Sequence, residues 1–505
     1  MQAFAHIPLG TPIPDSPHAV SCSLPTMAAV RGYEEKDPAV TGSLLSGYPR
    51  FVVHPFSRRL AAVMVEKHGL RGRTLWLASS RRMADALLAH LRPTGAPDAG
   101  AASFAADGVF GVSHPQVPEL AQRAKLFLQN IGGFISSREA EDRLAALGSG
   151  PLPGEEERFE GDSEAHVKGI LRPRFAGADD GDLLLANCGM NAIHAAFRGV
   201  SDLQAARGRT AWVQLGWLYL DTIAILKKFT PSKSDYIFAG DVMDLAALGL
   251  LFDARGQEIA GLVAEIPTNP LVQTPDVAAL AALCRSHGIR LILDTSVSSA
   301  FSVDCLRHAD LVVNSLTKYT GSDGDVIAGL VVVNPAGPDA AALRRGVAAA
   351  IERPYPPDLS RLAAQIGHTE AVLARIEEST PKVAAFLASH PAVRATYWAL
   401  GASRDNYLRV ARSPGATGGM ISFSLGGPLG RFYDRLRLPK GPSFGMRTTL
   451  ICPFMYLAHY DMVGSAAGRA ELEANGLDPE LLRLCVGTEP AEEIIGALRE
   501  ALEGD

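Results

Sequence analysis

Lys318 stands in "NSLTKYTGSDGD" (Asn314–Asp325), just after the hydroxyls of Ser315 and Thr317 and just before a loop rich in glycine and aspartate. The apolar run "HADLVV" precedes it and "VIAGLVVVN" follows, and each reads as a buried strand. An amine held there is either merely solvated or presented to chemistry. Other polar residues fall at equivalent places. "LLLANCGMNAIHAAF" runs from a strand through Gly189 and Met190 into a helix, whose opening N–H groups favour a phosphate. "AEIPTNP" ends a strand with Glu265 and Asn269, "LILDTSVSSA" ends another with Asp294, and "LGWLYLDT" puts Tyr219 just past a third. Taken singly, each is an ordinary turn or helix cap. Together they meet the needs of pyridoxal 5′-phosphate: an amine for its aldehyde, a carboxylate for its pyridine nitrogen, a phosphate cradle and an aromatic ring to stack on. Lys318 supplies the amine, and Asp294 the carboxylate that keeps the nitrogen protonated. Gly189, Met190, Ser315 and Thr317 supply the cradle, and Tyr219 the ring.

Those residues need a scaffold that brings strand ends together. From about Gly181 onward, "RTAWVQLG", "SDYIFAG", "IAGLVAEIP", "RLILDTS", "HADLVVNSL" and "VIAGLVVVN" read as strands buried on both faces. Helical patterns such as "DVAALAALCRSHG" lie between them, starting at an acidic residue and ending at glycine. The alternation predicts a mostly parallel sheet covered on both faces, with chemistry in the crevice at the strands' carboxyl ends. "IERPYPPDLS" (351–360) punctuates the pattern with prolines. Beyond it, "GGMISFSL", "RTTLICPF" and "LLRLCVGT" form a strand-and-helix series that predicts a second, smaller α/β domain. The expected division is 1–180 for an N-terminal arm and a partly inserted region, 181–379 for the cofactor-binding domain and 380–505 for the C-terminal domain. Before Gly181 the pattern is less regular: "TLWLASSRRMADALLAHL" (74–91) reads as strand then helix, and "GSGPLPGEEERFEGDS" (148–163) as a mobile loop.

Bulk properties exclude other classes. The chain has 505 residues, too many for one core. A net charge of −6 gives no reason to expect nucleic acid or an anionic membrane as partner. No apolar run approaches the roughly 20 residues a spanning helix needs, and the N-terminus lacks the basic start and apolar core of a secretory signal. Six cysteines without a C-x-x-C pair argue against a metal site and suit a reducing, cytoplasmic setting. A dinucleotide-binding α/β protein is a remote alternative, since no G-x-G-x-x-G follows a first strand.

"SLTKY" with a strand-end aspartate upstream, "EIPTNP", "GYPR" and "RLCVGTE" together resemble the Cys/Met-metabolism family of pyridoxal-phosphate enzymes, the cystathionine γ-synthase group. "SPHAVSCSLPTMAAVRGYEE", "GYPRF" and "GFISSREAE" resemble its fungal type, which carries a longer N-terminal part. The resemblance implies fold type I, a large mostly parallel seven-stranded-type sheet plus a smaller C-terminal α/β domain. It implies Lys318 as the cofactor's lysine and mobile acid/base, with Tyr48 and Tyr219 beside it among the catalytic groups, and Asn269 near the phenolic oxygen. Tyr48 and Arg50 reach the phosphate of a neighbouring subunit, so the resemblance also implies shared sites in a homodimer or homotetramer. Arg483 clamps the substrate α-carboxylate, and Ser443 in "PSFG" lines the substrate side. The activity implied is γ-replacement on an O-acyl-L-homoserine by L-cysteine, giving L-cystathionine in transsulfuration and methionine biosynthesis. Sulfhydrylation, γ-elimination and another nucleophile are the alternatives. "NCGM", "YLDT" and "TGSDGD" depart from the common pattern and leave acceptor and leaving group open.

Overall fold

The structure is a computed structural model that describes residues 4–47, 52–92, 99–150 and 154–504. Seven strands build the central sheet: β1 (Leu183–Ala186), β2 (Ala211–Leu215), β3 (Tyr236–Ala239), β4 (Ile259–Glu265), β5 (Arg290–Asp294), β6 (Leu311–Asn314) and β7 (Gly329–Val333). Their spatial order is β1-β7-β6-β5-β4-β2-β3. Strand β7 runs antiparallel to both its neighbours, and the other pairings are parallel. Every residue of β2, β4, β6 and β7 is buried, as expected of short β-branched runs covered by helices on both faces. β3 departs from that expectation. Among the described residues it pairs with β2 alone, and its Phe238 is 39% exposed, so "SDYIFAG" is an edge strand rather than a doubly buried one.

The chain leaves β4 toward β5 on one side and leaves β2 toward β3 on the other, which makes the boundary between β4 and β2 a switch point where an α/β crevice opens. Register sharpens this. Asp294 pairs with Glu265 across β5 and β4, so two strand-end carboxyls lie side by side.

A second sheet holds β8 (Val393–Trp398), β9 (Met420–Leu425), β10 (Leu450–Pro453) and β11 (Leu482–Cys485), in the order β8-β9-β11-β10 and antiparallel throughout. Arg483 sits mid-sheet, between Ser422 and Cys452.

The span 1–180 packs in several places. Residues 22–44 contribute Leu24, Met27, Val30 and Tyr33 to the core of the second sheet. Residues 73–78, 109–115 and 102–106 form a three-stranded antiparallel sheet with cores of its own. This region is therefore more regular than its sequence pattern suggested. Asp107 and Gly108, with φ of +52° and +74°, make the tight hairpin between two of its strands, a turn for which Asp-Gly is well suited. The segment expected as a mobile loop is also tied down where it is described: Glu156 accepts from Arg138 Nε at 2.8 Å and from its Nη2 at 2.7 Å, and the ring of Phe159 stacks on His166 at 4.1 Å.

Candidate active site

One cavity gathers Gly189, Met190, Tyr219, Asn269, Asp294, Ser315, Lys318, Ser443 and Arg483. Most come from the ends of strands and helices, Ser443 from the loop before β10 and Arg483 from within β11. Lys318 follows β6 in a turn closed by its own N–H donating to the Ser315 carbonyl at 3.0 Å. The side chain is 7% exposed, and Nζ donates to Ser443 Oγ at 2.5 Å. Ser443 itself adopts φ +83°, a conformation a non-glycine residue holds only when its surroundings enforce it. Arg483 Nη2 donates to the Ser443 carbonyl at 2.9 Å and Nη1 to Asn269 Oδ1 at 3.4 Å. Its guanidinium lies over two rings, Phe444 at 5.0 Å and Phe454 at 4.9 Å, whose π faces both favour a cation.

The carboxyls define the other end. Asp294 Oδ1 accepts from the Ser296 N–H at 2.9 Å, and burial raises its pKa. Glu265 is raised well above the usual carboxylate range, by burial first and by the adjacent Asp294 charge second. Its oxygens accept from the Tyr219 N–H at 2.5 Å and the Asn269 N–H at 3.0 Å, which fixes the backbone of both residues. Two crowded carboxyls in low dielectric favour a cation between or beside them.

Pyridoxal phosphate fits this cavity on three observations. The raised Asp294 is the electrostatic counterpart of a protonated ring nitrogen. The helix Gly189–Ala205 begins at the cavity, so its partial positive end faces the phosphate's place. Ser315 Oγ is buried with no hydrogen-bond partner among the described residues, and a Cβ at Gly189 would come within 3.0 Å of it, filling the cradle.

Thr317, grouped with the phosphate on sequence grounds, lies elsewhere. Its hydroxyl accepts from the Ala328 N–H at 3.1 Å, and it does not line the cavity. Tyr48 and Arg50 lie outside the described residues. Several lining residues carried no distinct sequence signal: Thr222, Ser296, Phe444, Cys452, Phe454, Leu457 and Ala458. Ser296 had the best available one, since it follows Asp294 by two residues, the spacing of a carboxyl that accepts from a backbone N–H. Among the described residues no cluster of His, Cys, Asp and Glu is arranged to hold a metal ion, and no helix is long and apolar enough to cross a membrane.

A seven-stranded, mostly parallel sheet with a lysine, a strand-end aspartate and a helix-start cradle gathered in one cavity defines a fold type I pyridoxal-phosphate enzyme. The sequence model of the Cys/Met metabolism PLP-dependent enzymes matches residues 175–503, and the chain belongs to that family. It is 38% identical over 494 residues to the L-2-amino-4-chloropent-4-enoate dechlorinase/desaturase of Streptantibioticus cattleyicolor, covering 98% of each chain. It is 28% identical over 614 aligned positions to the cystathionine γ-synthase of Neurospora crassa, again covering 98% of each. Among solved structures, the cystathionine γ-lyase of Lactobacillus plantarum complexed with L-serine superimposes with a TM-score of 0.57 at 22% identity, covering 71% of this chain and 94% of that one. The cystathionine γ-synthase of Xanthomonas oryzae in complex with cystathionine gives 0.56 at 24%, covering 72% and 96%. At those identities the likeness is one of fold.

Proposed function

We propose that this chain removes a γ-substituent from a short L-α-amino acid, and that the substituent is chloride on an unsaturated C5 chain rather than an acyl group. The lining on the substrate side carries this reading. Pro442, Phe444, Cys452, Phe454, Leu457 and Ala458 bear no formal charge, and the cationic side chains among the described lining residues are Lys318 and Arg483. Both are committed to the amino-acid end. A succinyl carboxylate, or the carboxylate of an incoming cysteine, meets no further cation among those residues, and a buried unpaired charge is costly. A chlorovinyl group suits apolar walls. The relative acting on L-2-amino-4-chloropent-4-enoate, 38% identical over nearly its whole length, supports the same substrate class.

The roles follow from position. Arg483 holds the α-carboxylate through a planar, doubly donating face, which orients the Cα–H bond. Lys318 takes the Cα proton and then works at Cβ; a flexible lysine chain beside Ser443 can serve both carbons. Asp294 keeps the ring nitrogen charged, and Tyr219 covers the ring face. When bound, pyridoxal phosphate supplies an electron sink conjugated with Cα. Chloride leaves from Cγ, and one proton is lost net, so HCl departs and the carbon chain gains one unsaturation.

A second reading is γ-replacement of an O-acyl-L-homoserine by L-cysteine to give L-cystathionine, favoured by the full-length match to the Neurospora crassa enzyme. One experiment separates them. The purified protein is given L-2-amino-4-chloropent-4-enoate, or O-acetyl- or O-succinyl-L-homoserine with cysteine, and chloride, cystathionine and 2-oxobutyrate are measured. Chloride release with the higher kcat/KM is expected. Cystathionine formed with the higher kcat/KM overturns the first reading and establishes the second.

A further inference from the structure

Phe454, Leu457 and Ala458 face the cavity from one short helix, Phe454–Ala458, which follows β10. Five residues close too few internal hydrogen bonds to fix their own position, so outside contacts must do it. His459 ends this helix and opens the next one, Tyr460–Val463, and its ring is buried. Its Nε2 accepts a hydrogen bond from Trp217 Nε1 at 2.9 Å, which places the ring proton on Nδ1.

Trp217 belongs to the other sheet. It lies in the turn after β2, two residues before Tyr219, and Gly216 at φ +72° allows that turn to press against Val242. The Trp217 ring packs edge-on against His459 at 5.0 Å and against Phe238 at 6.1 Å. His459 in turn meets Phe454 edge-on at 6.5 Å, and Phe454 covers one face of Arg483. A continuous line of contacts thus joins the turn that carries Tyr219 to the wall beside the carboxylate clamp.

We propose that Trp217 and His459 are positioning residues for substrate selection: their hydrogen bond holds the Phe454–Ala458 wall at the distance that admits a five-carbon amino acid and rejects longer ones. This rests on the reading of the cavity as a site for short, uncharged side chains. Neither residue touches the reacting atoms. Their effect passes through the wall.

The test uses the holoenzyme and unreactive ligands. L-norvaline, L-norleucine and L-2-aminoheptanoate are titrated by calorimetry against the wild type and against Trp217→Phe, which keeps a ring but removes the N–H. In the wild type, affinity should fall about tenfold with each added methylene beyond norvaline, the usual discrimination of a closed apolar pocket. Trp217→Phe should flatten that series to about threefold or less over its whole length, and raise KM for the chlorinated substrate about tenfold while leaving kcat within about threefold. His459→Leu should behave the same way. His459→Gln, whose side-chain carbonyl can still accept from Trp217, should keep the wild-type profile. A flat series in the wild type, an unchanged series in Trp217→Phe, or a His459→Gln as permissive as His459→Leu overturns the proposal. Because the ligand series does not depend on chloride release, failure of the proposed activity is told apart from failure of the Trp217–His459 hydrogen bond to position the wall.

Discussion

At the scale of single residues, the site works by placing unlike charges at opposite ends of one cavity. Asp294 is raised by burial and stands in register with Glu265, itself raised by burial and by the Asp294 charge. On the proposed reading a protonated ring nitrogen at Asp294 would relieve that crowding, and the carboxylate would in return keep the nitrogen charged. Asp294→Asn keeps the shape and removes the charge, so the cofactor should stay bound while kcat falls about a hundredfold, the loss expected when a preorganised charge is deleted. Visible absorbance measures the first and steady-state turnover the second; near-normal turnover would assign the role to Glu265. Lys318, Asp294 and Gly189 were legible in the sequence because each follows or interrupts a short apolar run, so its place at a strand or helix end could be read from order alone, whereas Arg483 stood out only through the resemblance carried by "RLCVGTE". Glu265 was visible as a strand end, but its partnership with Asp294 was not, since only the parallel register of β4 and β5 sets the two side by side. Phe454 and Leu457 looked like core residues, and nothing in apolar periodicity tells a cavity wall from a core.

At the scale of elements, the helix Gly189–Ala205 carries both the proposed phosphate cradle and a pH liability. Its first residue has no room for a side chain. A Cβ at Gly189 would approach Ser315 Cβ at 2.9 Å and Oγ at 3.0 Å. Gly189→Ala should therefore weaken the cofactor about ten- to a hundredfold, the cost of overpacking a tight contact, while the far-ultraviolet circular dichroism is unchanged. Titration of the apoprotein with pyridoxal phosphate reads the change. One turn on, the half-buried His194 packs its ring against Phe229, and desolvation lowers its pKa to about 3, with Arg198 and Arg82 adding to the effect. The unfolded chain, with histidine near 6.5, takes up a proton in the range where the folded chain cannot. Stability is thus lost as pH falls from 6.5 toward 3, by up to about 1.4 kcal/mol per pH unit for this group. A His194→Leu variant lacks the term, so its urea midpoint should gain on that of the wild type between pH 6.5 and pH 4.5; a constant gap would refute the assignment. The central strands were readable as elements because β-branched apolar runs have few other uses. The hairpin at Asp107–Gly108 was missed despite its turn signal, because the strand before it, ASFAA, is mostly alanine and the one after it, VFGVSHP, does not alternate apolar with polar residues.

At the scale of the whole molecule, the long N-terminal span is joined to the site by buried charge. Arg138, 1% exposed, donates to Glu156, to the Asp325 carbonyl and to Asp358. Asp325 also receives Arg361 and Gln365, while Asp323 accepts from Arg361 and from Arg447. Asp323 and Asp325 belong to the loop after Lys318, and Arg447 lies four residues past Ser443, so one network ties the added region to both loops that meet at the amine. Long-range pairings of this kind cannot be read from spacing, which is why 148–163 looked loose. The subunit arrangement has a sharper test. The flanks of the Tyr48–Arg50 element, Gly47 and Val53, border a second cavity that also touches Cys188 and Met190, the start of the phosphate helix. The family resemblance places Arg50 at the phosphate of a neighbouring subunit, in which case each site draws on two chains. Arg50→Ala and Lys318→Ala subunits are then inactive alone for different reasons. Mixed and exchanged in equal amounts, half of the dimers are hybrids, and each hybrid holds one site with both residues intact. Activity should recover to about a quarter of the wild-type level, as twofold symmetry requires. If subunit exchange is verified by mass and no activity returns, Arg50 serves the site of its own chain, and the second cavity is closed from within one subunit.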